Sequence, residues 1–248
     1  MPGYRFGKHP PKSDYRTLQF RDYATSALAA PPASVNRTLP TVYDNLRISD
    51  PTVLFPMDGN DTLGDCTIAA VAHAVTAYRG LISKKKHIMS EHTVVKLYMH
   101  LTGGVDSGLN ELDVLNYWRQ HKVSGDEILA FVKIDPKNHT HVQQAIQLFG
   151  GVYLGFQVQK NCIQQFDNRQ PWTPGKLTMD GHAVFAVAYD QAGVTVLTWG
   201  NTQQGTWAWW DECVDEAYAI LPPEAKNAEF APGFDLAQLQ TDLSAVAS

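Results

Sequence analysis

The apolar positions change their spacing near residue 150. Before it they recur mostly every three or four residues, and after it they run in short blocks, so helices are expected first and strands second. Ile68, Val71, Ala72 and Val75, with Tyr78 beyond them, predict a helix over 66–78. Ser90 caps a second helix carrying Val94, Leu97, Tyr98 and Leu101. A third, over 110–121, buries Leu112, Leu115 and Trp118. A fourth, over 141–149, puts Val142, Ala145, Ile146 and Phe149 on one face. Strands are expected over 128–134, 152–158, 183–189, 194–199, 206–210 and 218–221, with a hairpin turn at 190–193. Helices grouped before strands predict an α+β protein rather than a βαβ one.

The ends read differently. Residues 1–57 are broken by Pro10-Pro11, Pro31-Pro32, Pro40, Pro51 and Pro56, with room for a helical turn or two between 18 and 30. This reads as an extended arm over the body; a removable pro-segment, leaving a mature form from near residue 50, is the sharper version. Residues 223–248 form a tail whose Leu236, Leu239, Leu243 and Val246 mark a short helix, expected to dock on the body. The domain boundaries are then 1–57, 58–222 (58–150 helical, 151–222 β-rich) and 223–248.

Composition narrows the classes. A net charge of −5 and a longest basic run of Lys84-Lys85-Lys86 argue against nucleic acid as a partner. No apolar run is long enough to span a bilayer, and the N-terminus lacks the apolar core of a signal peptide, so a cytoplasmic location is expected. Cys66, Cys162 and Cys213 are too few and too scattered for a disulfide framework. His139 and His141 lack the partners of a metal site, and neither metal nor cofactor is expected.

Cys66 is the residue with chemistry to offer. Asp65 is placed to cap the helix that follows, which puts the thiol in a first turn where free N–H groups and the helix dipole favour a thiolate. Packing as a small apolar residue is the ordinary alternative. His73 is two helical turns away, about 10 Å of axial rise, and is out of hydrogen-bond reach. His182, opening an apolar strand after Asp180-Gly181, is the better base. Asn201 follows the hairpin and can orient that imidazole, with Trp199 or Trp207 as a shield. Asn60, six residues before Cys66, can donate to an oxyanion, or close an Asx-turn. Asp65 beside the thiol opposes its ionisation unless it is otherwise engaged.

Taken together these residues resemble the papain-like cysteine peptidases over about residues 56–221. An amide stands six residues before the cysteine (Asn60), a Gly-Gly loop follows the helix (Gly103-Gly104), a His-Ala-Val strand opens at His182, and an asparagine comes after the hairpin (Asn201-Thr202-Gln203-Gln204-Gly205-Thr206-Trp207). The match departs in having Asn60 for Gln, Thr67 for Trp and Gln203 where a shielding Trp belongs, and in lacking disulfide cysteines. A second register sets Trp199-Gly200 on the family's Trp-Gly and Leu197 on its asparagine; Asn201 is preferred on chemical grounds.

The resemblance implies a two-lobe fold with the site between the lobes. It implies a Cys66–His182–Asn201 triad, Asn60 in the oxyanion hole, and Gly103, Gly104, Gly181 and Trp199 along the cleft. The implied partner is a peptide or protein substrate, with no cofactor. A cell-wall amidase, a deamidase or acyltransferase of the same chemistry, and a silent binding protein on the same fold are the alternatives.

Overall fold

The computed structural model describes residues 3–36, 54–82, 84–227 and 229–246. Pro40, Pro51 and a start near residue 50 lie outside the described residues.

Helix α1, Cys66–Leu81, is buried on almost every side, so it lies in the core rather than at the surface. Helix α2 (Glu91–Leu101) begins at Ser90, whose hydroxyl accepts from the Thr93 N–H, and α3 (Glu111–Gln120) begins at Asn110, whose side chain accepts from the Leu112 N–H. Strand β1 (Ala130–Ile134) leads to α4 (His139–Phe149), which ends at Gly150 in the left-handed conformation. Then follow β2 (Val152–Gln159), α5 (Cys162–Asp167), β3 (Leu177–Tyr189), β4 (Gly193–Thr198) and β5 (Asn201–Thr206). Helix α6 (Trp207–Cys213), β6 (Val214–Leu221) and α7 (Leu236–Val246) complete the described chain.

The expected strand over 206–210 is not a strand. Thr206 ends β5, and its hydroxyl caps α6 by accepting from the Trp209 N–H. Local capping outweighs the β preference of three tryptophans there. Strand β3 also starts five residues before His182, because Gln159 pairs with Leu177, so His182 lies within the strand.

The six strands form one sheet in the order β1-β6-β2-β3-β4-β5, every neighbour antiparallel. The α+β class is as expected, and the sheet draws its edge strand β1 from the helical half. Side chains alternate across it. Ala183, Phe185 and Val187 meet α1 on one face, while Val184 and Ala186 join α4, α6 and α7 on the other.

The N-terminal arm has two parts. Phe20 and Tyr23 are buried against Phe149 and Phe234, and Tyr23 donates to Asp242 of α7, so this part belongs to the core and pins the tail. Residues 9–13, 15 and 16 are exposed, Tyr15 almost fully. Residues 3–8 lie across the body above Cys66. Among the described residues no helix is long and apolar enough to cross a membrane.

Candidate active site

Cys66 opens α1 and is buried. Burial pushes its thiol up to about 12; the backbone N–H groups of Ala183 and Gly7 pull the other way, and the charges of Asp65 and Glu111 add to the rise. The thiol is therefore protonated at neutral pH with the arm in place. Asp65 occupies the cap position without a capping hydrogen bond. Its carboxyl is fully buried, and burial raises it to about 8, so it is largely uncharged at neutral pH and restrains the thiol less than its sequence position suggests.

His182 is also buried. Burial, followed by the nearby His73, lowers its imidazole to about 3, so it too is neutral. Its Nε2 lies 2.8 Å from the Thr198 hydroxyl, and its buried Nδ1 has no hydrogen-bond partner among the described residues. Ala183, whose N–H approaches the Cys66 sulfur, is the next residue along β3. Trp199 stacks on the imidazole at 4.4 Å, and Phe6 and Phe156 meet its edge.

The ring's partner is thus Thr198, not Asn201. Trp199 and Gly200 form a two-residue turn, both with positive φ, and Thr198 pairs across it with Asn201. Asn201 turns its side-chain oxygen to its neighbour's Thr202 N–H at 2.8 Å. Leu197, which the other register would select, is buried on the α1 face. A tryptophan at φ 47° is strained by about 1–3 kcal/mol. Its stack on His182 and a 2.7 Å bond from its indole N–H to Asn60 Oδ1 hold it there.

That bond also fixes Asn60, which is fully buried. Its Nδ2 donates to the Arg5 carbonyl at 3.2 Å and to the Leu63 carbonyl at 3.1 Å. His73 is taken up by the Pro56 carbonyl at 3.0 Å and plays no part at the thiol.

Residues 3–8 of the arm fill the remaining space as an extended segment. Arg5 N–H donates to Asn60 O at 2.9 Å, Lys8 N–H to Gly181 O at 3.1 Å, and His9 N–H to Leu109 O at 2.9 Å, while Leu109 N–H returns to Gly7 O at 2.9 Å. The walls are glycines because backbone meets backbone. A Cβ at Gly108 would stand 2.3 Å from Gly7 O, and one at Gly181 2.5 Å from Lys8 O. Gly181 is therefore against the arm, as is Trp199, on which Tyr4 packs at 4.7 Å. Gly103 and Gly104 are not: they form the exposed turn ending α2, with nothing near either Cβ position. The close approach falls on Gly108-Leu109 instead. Among the described residues no cluster of three or more His, Cys, Asp or Glu could hold a metal.

The architecture around this cleft recurs in solved structures. The chain superposes on xylellain, a cysteine protease from Xylella fastidiosa, with a TM-score of 0.67 at 18% identity, over 88% of this chain and 96% of that one. The fold is papain-like. The cysteine protease and lectin-like domains of Cwp84, a surface-layer-associated protein of Clostridium difficile, match with a TM-score of 0.59 at 15% identity, covering 90% of this chain and 57% of that one. Procathepsin B S9 from Trypanosoma congolense gives 0.52 at 11% identity, over 88% and 86% of the two chains. No protein-family model and no curated protein sequence matches the chain. The papain-like fold is thus reached by a sequence in which the His182 Nε2 meets a threonine hydroxyl.

Proposed function

We propose that the protein is a cysteine-dependent peptidase held inactive by its own N-terminal arm. The observation that carries this reading is the seat of residues 5–8. Peptide backbone lies extended through a glycine-walled slot, a carbonyl on Asn60 Nδ2 and an N–H on the Cys66 sulfur. A slot that binds one peptide backbone by its hydrogen bonds is suited to another.

In the proposed reaction the Cys66 proton passes to His182 Nδ1, and the thiolate attacks a peptide carbonyl carbon. Asn60 Nδ2 and the Cys66 N–H donate to the oxyanion. His182 protonates the leaving nitrogen as the C–N bond breaks, leaving a thioester. Water, losing a proton to His182, attacks that thioester and expels the thiolate. Thr198, accepting from Nε2–H, keeps the proton off Nδ1. The arm escapes this chemistry because Gly7 offers the sulfur an N–H.

The releasable segment is shorter than the whole of residues 1–57. Residues around Phe20 and Tyr23 belong to the core, so cleavage in the exposed stretch 9–16 frees the blocking part and leaves the rest.

Alkylation tests the nucleophile. With the arm loosened by Phe6→Asp, iodoacetamide is expected to modify Cys66 at least about tenfold faster than Cys162 or Cys213, and in the unaltered chain all three are expected to resist. Equal rates in the loosened chain would overturn the reading. Thr198→Val in the same background is expected to lower kcat by about ten- to a hundredfold, the cost of one buried hydrogen bond. Thr198→Asn should recover most of it, and a Val variant as active as the parent would remove Thr198 from the mechanism.

A further inference from the structure

The deep insertion of residues 3–8 is Lys8. Its side chain is 1% exposed, and its Nζ lies 2.9 Å from Asp215 Oδ1, 3.0 Å from Glu216 Oε1 and 3.1 Å from the His9 carbonyl. Behind it Glu111 is fully buried, with neither carboxylate oxygen in a hydrogen bond among the described residues. The floor is Gly155: a Cβ there would stand 1.8 Å from Lys8 Cε and 2.9 Å from Glu111 Oε1. Any other residue at 155 would fill the chamber that the lysine stem occupies. Gly155 pairs with both Ala183 and Glu216 across the sheet, so the chamber opens beside the nucleophile.

Three carboxylates surround one ammonium. Burial works against the charge on Lys8, but Glu111, Glu216 and Asp215 outweigh it and hold the ammonium above its ordinary range. Burial and the mutual repulsion of Glu111 and Glu216 push the Glu111 carboxyl well up. A structural ion pair needs one acid per base, and the excess here has a different consequence. Once the arm leaves, the chamber is a glycine-floored tunnel ending in acids, with an unpaired buried carboxylate aimed into it. Such a site gains most from another long cation.

We propose that this chamber is the specificity pocket of the cleft, selecting a lysine or arginine side chain of the substrate close to the scissile bond, and that Lys8 is its built-in occupant. The proposal rests on the peptidase reading above. Glu216, Glu111 and Gly155 then set the choice of substrate, while Cys66 and His182 carry out the cleavage.

The experiment uses the full chain carrying Lys8→Ala, which empties the pocket, and a mixture of internally quenched peptides whose cut sites are read by mass spectrometry. Lys and Arg are expected to be enriched at least about tenfold over Leu at a single position within a few residues of the cut, with the enrichment lost in Lys8→Ala/Glu216→Gln. Cleavage with no basic preference overturns the pocket and leaves the peptidase reading standing. Absence of cleavage overturns the peptidase reading, and a binding assay then decides on the pocket. The labelled peptide Gly-Tyr-Arg-Phe-Gly-Lys-His-Pro is expected to bind the Lys8→Ala chain at least about tenfold tighter than its norleucine counterpart at the lysine position. Equal affinities overturn the proposal whatever the catalysis.

Discussion

Cys66→Ala is expected to reduce peptide hydrolysis by about 10⁴- to 10⁶-fold in a chain whose arm has been loosened, with Cys162→Ala and Cys213→Ala staying within about twofold of the parent. Cys162 and Cys213 lie on the opposite face of the sheet from α1, in the core that holds Trp209 and Trp210. The Cys66 sulfur alone has a backbone N–H on either side, from Ala183 and Gly7, and an imidazole one residue away from the first of them. The substitution removes one sulfur from a buried helix start, so circular dichroism and the melting temperature should be nearly unchanged. Turnover above about a hundredth of the parent, measured on a purified sample, would move the nucleophile elsewhere.

The second large effect belongs to the arm. Lys8→Ala is expected to raise the hydrolysis rate of the full chain by about a hundredfold. Among the described residues Lys8 alone carries the ion pairs that hold residues 3–8 in the body, to Asp215 and Glu216. Breaking a buried pair by removing one partner costs about 3–5 kcal/mol, and here the protein can avoid that cost by letting the arm leave and water enter. A penalty of about 3 kcal/mol on the docked state shifts its population by about two powers of ten. Water entering the site also reverses the burial that keeps the thiol up and the imidazole down, so the thiolate–imidazolium pair becomes accessible at neutral pH. Initial rates on a fluorogenic peptide for the two chains check this, and rates within about twofold of each other would mean that the arm does not block the site.

Much of this could be read from residue order, and the misreadings have particular causes. The four helices before residue 150 are legible because each carries an apolar stripe and three have a side-chain cap. Cys66 and His182 stand out because a thiol at a helix start and an imidazole entering an apolar strand are local features. On the sequence Asn201 is preferred as the imidazole's partner for its side-chain chemistry, but Trp199-Gly200 makes the reversal in two residues, so the residue before it, Thr198, reaches the ring. Gly103-Gly104 looked like the substrate loop because two glycines adjoin, yet they serve positive φ at a helix end. The glycine forced by close backbone approach is Gly108. The arm's plug has no sequence signal, since residues 3–8 have no periodicity and each contact is with a distant part of the chain. Lys8 reads as one more surface lysine until three acids from α3 and β6 are seen around it.

In the self-blocked peptidase proposed above, the exposed stretch between residues 3–8 and the anchored part around Phe20 makes the inhibitor a tethered one. While it is intact, residues 3–8 face the cleft at an effective concentration of about millimolar, fixed by a short leash and independent of how much protein is present. One cut in the leash changes the equilibrium from unimolecular to bimolecular. The same contacts then have to compete at the peptide's bulk concentration, so simple dilution empties the cleft, and a crowded sample can stay shut long after every chain has been cut.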